Sequence, residues 1–151
     1  MPQSSDVRQC AGVICAYLCG DDEGRRVLQE DPDFTYQRWY EGAVVVCVSV
    51  LELVAADAGR SGVDEICAFV AKSHGVVAGQ REPEEALAIV LHYHLHREVI
   101  EVDNVSGEVL ASLFDIAVTG IEQLARELGR PPLEVARLLA IAAETYRNPT
   151  W

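Results

Sequence analysis

The stretch TYQRWYEGAVVVCVSVLELVAADAG, residues 35–59, constrains what this chain can fold into more than any other. Its valines favour a strand, but its flanks have helical period and no second strand candidate exists to pair with it. A helix over 36–57 is therefore expected, started by Thr35 or Asp33 and stopped at Gly59. At about 100° per residue such a helix keeps one thin polar stripe, formed by Arg38, Glu41, Ser49 and Glu52. Valine, leucine, alanine, Cys47, Trp39 and Tyr40 fill the rest of its circumference. A helix like this must be central, wrapped by neighbours, or buried between subunits. The stripe is then the part that meets solvent or a partner, which makes its four residues candidate binding residues.

The remaining punctuation marks further helices. Ser5 is expected to cap a helix over 6–19, and a short one follows over 22–30. Ser61 can cap 62–74, with His74 as a cation at its carboxyl end. Glu82 and Pro83 open a helix that carries HYHLH, because proline is tolerated in a first turn. Ser106 can cap a helix ending at Leu128 with Gly129 as its C-cap, and Pro131-Pro132 start a last one ending near Arg147. The expected fold is an all-α, single-domain bundle of about five to seven helices covering residues 1–151.

Three of the four histidines lie within HYHLH, residues 92–96. On the helix over 84–102, Leu87, Ala88, Leu91, Leu95 and Val99 make one apolar face. Ala86, Ile89, Val90, Tyr93 and Ile100 make a second. Between them Glu85, His92, His96 and Asp103 share a narrow stripe, while His94 falls in the other seam near Glu98 and Glu101. His92 and His96, at i and i+4, have the spacing at which two imidazoles reach one divalent ion. A third ligand would have to come from another helix, with Glu41, Glu52 and Asp115 as candidate partners. The H-E-x-x-H and E-x-x-H signatures of zinc proteases and di-iron bundles are absent. The plain alternative is that both histidines hydrogen-bond to carboxylates of neighbouring helices, or face water between two packed faces. No nucleophile setting such as G-x-S-x-G occurs, so catalysis is not expected.

Segment 121–140, IEQLARELGRPPLEVARLLA, has the spacing of a helix-turn-helix at Ala125, Gly129 and Val135, with Leu124, Leu128 and Leu138 at its core positions. Its exposed side offers Glu134, Arg137, Ile141 and Glu144, a poor set for phosphates or base edges. A net charge of −12 argues further against nucleic acid and anionic membranes and leaves a basic protein as a suitable partner.

No apolar run reaches the ~18 residues of a membrane span. The apolar amino end lacks a basic leader and a cleavage site, so a cytoplasmic location is expected. Five cysteines without a C-x-x-C fit reduced, apolar packing residues. Basic residues that are all arginine except Lys72 suggest a bacterial genome rich in GC.

Taken together, a small acidic helical protein that works by binding is expected. It would self-associate, as a homodimer, through the surplus apolar faces of 36–57 and 84–102, and engage a basic or apolar partner. A metal- or small-ligand-binding bundle using His92 and His96, an enzyme or a plain binder, is the alternative, with a divalent cation as its cofactor. A transcriptional regulator acting through 121–140 is the third.

Overall fold

Six helices and no strand occur among the described residues of the computed structural model, which are 4–57, 81–101 and 106–144. They are α1 (Ser4–Cys19), α2 (Asp22–Gln29), α3 (Tyr36–Asp57), α4 (Arg81–His96), α5 (Gly107–Leu128) and α6 (Pro132–Glu144). The protein is an all-α helical bundle. The expected helix over 62–74, with Ser61, Cys67 and His74, lies outside the described residues.

Local chemistry accounts for most of the boundaries. The Asp21 carboxylate accepts from Gly24 N at 2.9 Å and the Ser106 hydroxyl from Val109 N at 3.1 Å, each satisfying an amide that the first turn leaves free. Thr35 accepts from Arg38 N in the same way at the start of α3. Gly129 adopts φ 65°, and Arg130 N donates to Ala125 O while Gly129 N donates to Arg126 O. That double bond is a Schellman turn, and the left-handed residue it requires is cheapest as glycine. Ser5 departs from expectation. It lies inside α1, and its hydroxyl accepts from the Arg38 guanidinium instead of capping the helix.

Packing places α3 at the centre. It lies against α1 on one side and α5 on the other, α6 bridges α1 and α5, α4 packs on α3 and α5, and α2 packs on α1. One apolar cluster draws residues from α1, α3, α4, α5 and α6. Tyr40, Val44, Val48, Val50, Leu51 and Val54 of α3 are all but fully buried in it. The strand-favouring valines thus sit in a helix because its valine-bearing sides are covered, and burial outweighs a propensity difference worth only tenths of a kcal/mol per residue. The apolar surplus of α3, expected to drive self-association, is largely absorbed within the chain; Leu53 is its one exposed large aliphatic residue among those described.

The histidine helix ends earlier than its periodicity implies. It stops at His96, and Arg97 adopts φ 53° with its amide donating to Tyr93 O at 2.8 Å. A non-glycine residue in this conformation costs about 1 kcal/mol. The cost is offset by tertiary contacts: Arg97 pairs with Glu52 of α3 at 2.7 Å and lies over the Tyr93 ring. Beyond it the chain is pinned by Tyr40, whose hydroxyl donates to Ile100 O at 2.8 Å across 60 residues of sequence. Burial pushes the Tyr40 phenol up to about 12, with the neighbouring Glu41 carboxylate adding to the shift, so the group remains a donor at all physiological pH. Tyr40→Phe is expected to cost about 1 kcal/mol in urea unfolding, because the bond is lost while the ring stays packed. An unchanged midpoint would mean that this bond does not hold the segment after α4.

Candidate functional site

A groove lies among the described residues between α1, α2 and the start of α3 on one side and α5 on the other. Its first part, a cavity of about 390 Å³, is lined by Gln29, Phe34, Tyr36, Trp39, Leu110 and Phe114, among others. A second, of about 270 Å³, includes Val13, Ile14, Tyr17, Arg25, Asp115 and Val118. Gln29, Ala111 and Phe114 line both, so the two cavities adjoin.

The aromatic arrangement of this groove is built from several elements. Phe34 sits in the loop before α3, and its ring meets Trp39 edge-on at 4.4 Å between centroids. Trp39 meets Phe114 of α5 at 6.3 Å, also edge-on. These T-shaped contacts suit the ring quadrupoles and fix the floor. Tyr36 at one end is 64% exposed and Tyr17 at the other 54%, so the groove is framed by two tyrosines available to a partner. Five of the chain's ten Phe, Trp and Tyr residues therefore converge here. Arg25 lies over the Tyr17 ring and reaches Asp22, and its Nε is buried without a hydrogen-bond partner.

The expected polar stripe of α3 is real but divides into two unrelated ends. Arg38 donates to Asp6 at 2.8 Å, to Ser5 and to the Asp33 carbonyl, and its guanidinium covers the Phe34 ring at 4.5 Å. Asp6 is 2% exposed, so the pair anchors α1 to the start of α3 from inside. Glu41 accepts from Gln37. Ser49 is exposed and turned back on its own helix, donating to Val45 O. Glu52, a further turn along, accepts from His94 Nδ1 at 2.9 Å and from Arg97 at 2.7 Å.

That last contact reverses the roles expected of the histidines. The carboxylate partner belongs to His94, which meets Glu52 where α4 packs on α3, while Glu98 and Glu101 fall beyond the end of the helix. His92 and His96 lie side by side, with ring centroids 4.7 Å apart. Glu52 is engaged with His94, while Asp115 lines the aromatic groove instead. Among the described residues, no group of three or more His, Cys, Asp or Glu comes together as a metal cage.

The segment 121–140 forms a helical hairpin across α5 and α6. Leu124 and Val135 are buried as expected, but Leu128 is 49% and Leu138 55% exposed. The helix-turn-helix core assignment of those two leucines is thus incorrect. Val135 and Ala136 are buried, and α6 packs more on α1 than on α5. Arg130 is tied to Glu134. Cys10 and Cys47 are buried, and burial drives both thiols well above their ordinary range. Cys15 moves the same way through burial, partly opposed by Arg137. No described helix is long and apolar enough to cross a membrane.

These features describe a helical bundle with aromatic-lined cavities. No protein-family model matches the chain, and no curated protein or solved structure matches it either.

Proposed function

We propose that this protein is a binding module whose aromatic groove takes the apolar side chains of a basic, amphipathic segment of a partner protein. The observation that carries the reading is the pair of adjoining cavities, each lined by one exposed tyrosine. Tyrosine and tryptophan supply large contact area at low entropic cost and dominate binding energy where they occur in concave sites. Charge selects the partner. Residues 21–33, which carry α2 and lead into Phe34, contain Asp21, Asp22, Glu23, Glu30, Asp31 and Asp33 against Arg25 and Arg26. Asp115 adds a carboxylate on the opposite wall. With a net charge of −12, the chain repels acidic segments and steers basic ones towards this surface.

Selection from a displayed peptide library tests the reading, followed by titration of the recovered peptides. Basic sequences with aromatic or leucine anchors at helical spacing are expected, binding more weakly as salt is raised. The Tyr17→Ala/Tyr36→Ala variant should weaken them by at least about tenfold, because two exposed anchors are lost without touching the core. Leu128→Ala/Leu138→Ala, on the hairpin, should leave them unchanged. Equal binding to the tyrosine variant would overturn the reading. So would light scattering that shows a homodimer dispersed by Tyr17→Ala/Tyr36→Ala, since the occupant would then be a second copy.

A further inference from the structure

We infer that His92 and His96 form a two-imidazole clamp for a late first-row divalent cation, zinc or copper, on the outer face of α4. The site shares no residue with the aromatic groove.

Three observations carry it. The two rings project from one face of the helix, one turn apart, with centroids 4.7 Å apart. A single ion needs imidazole nitrogens about 2.0–2.1 Å away on each side, a span that small rotations of rings already this close can provide. The rings are also open to solvent, His92 half-buried and His96 exposed, so an ion reaches them without any opening of the fold. Finally, no hydrogen bond or ion pair engages either ring among the described residues, whereas His94 is committed to Glu52 through Nδ1. The structure therefore separates one histidine that holds α4 to α3 from two whose nitrogens remain available.

Chemistry selects the cation. Neutral imidazole suits zinc, copper and nickel, whereas calcium and magnesium require oxygen ligands. The helix holds the second imidazole beside the first, so the second bond forms as an intramolecular step and the pair binds more tightly than either ring alone. The negative charge of the chain raises the local concentration of cations. Two ligands leave the other coordination positions to water or an outside donor, which describes an exchangeable surface site rather than a closed structural one.

Tag-free protein stripped with a chelator would be titrated with zinc by calorimetry and with copper(II) under electron paramagnetic resonance. About one equivalent per chain is expected, with copper hyperfine structure from two imidazole nitrogens, and with affinity falling as pH is lowered because protons compete for the rings. His92→Ala and His96→Ala should each weaken uptake by at least about tenfold. His94→Ala and Cys15→Ser/Cys19→Ser should keep it, and circular dichroism checks that each variant is folded. The wild-type copper spectrum tests the site independently of any variant. Absence of saturable uptake, a spectrum lacking the two nitrogens, uptake that survives loss of both His92 and His96, or uptake that depends on His94 would each overturn the assignment.

Discussion

Gly42→Ala is expected to destabilise the protein by about 2–3 kcal/mol, although alanine is the better helix former by about 1 kcal/mol. The two arguments have opposite signs, and distances decide between them. A Cβ at position 42 would lie 2.5 Å from Asp6 O and 2.7 Å from Cys10 Sγ. The first of these is backbone, so no rotamer change relieves it. α1 and α3 would have to separate along the seam that also carries the Asp6–Arg38 pair, and a packed core does not yield locally without loss of contacts elsewhere. Chemical denaturation should show a lower midpoint, with the melting temperature falling by roughly 6–10 °C. Cys10→Ala in the same chain should recover only part of the loss, because it removes the sulfur and leaves the carbonyl. A neutral or stabilised Gly42→Ala protein would show that the helices do not approach this closely.

Arg38→Met is expected to cost about 3 kcal/mol, the second large effect. Methionine keeps much of the stem but leaves Asp6, at 2% exposure, without the guanidinium that faces it at 2.8 Å. Removing one member of a buried pair is more damaging than removing both, since the survivor keeps the desolvation penalty. The Asp6→Asn/Arg38→Met double variant should therefore be more stable than Arg38→Met alone. Arg130→Met supplies the contrast. Its partner Glu134 and Arg130 itself are about half exposed, and such pairs contribute well under 1 kcal/mol. If Arg38→Met and Arg130→Met unfold at the same denaturant concentration, the Asp6–Arg38 pair is not what anchors α1 to α3.

The elements were legible where local chemistry decides them. The Ser106 cap, the Gly129 turn and the start of α3 at Thr35 all follow from hydrogen bonds within a few residues of sequence. The end of α4 was not, because Arg97 is held left-handed by Glu52, which lies 45 positions earlier in the chain. Nor was the partner of His94, since Glu52 belongs to another helix, and Leu95 of the first apolar face is left 59% exposed. Asp6 carried no signal at all, since an acidic residue in the first turn of a helix is ordinarily a solvated one.

The candidate groove was legible only in part. Trp39 stood out as an aromatic residue on an apolar helix, but its companions come from α1, the loop before α3, and α5. Aromatic residues separated by tens of positions have no period to detect, so the only sequence signal available was the pair Phe34 and Trp39 flanking a helix start. The histidine pair was the reverse case. Its spacing was fully visible, and the structure added the unengaged nitrogens.

By itself the sequence determined the all-helical character, the caps at Thr35, Ser106 and Gly129, and the apolar circumference of residues 36–57, because periodicity and capping are properties of a few adjacent residues and of one face. Only the tertiary structure decided which helix faces which. On that depend the buried Asp6–Arg38 anchor, the partner of Glu52, the close approach at Gly42 and the aromatic groove. Each of these is a meeting of side chains remote in sequence, and the energy that selects it comes from packing and desolvation, which no local pattern records.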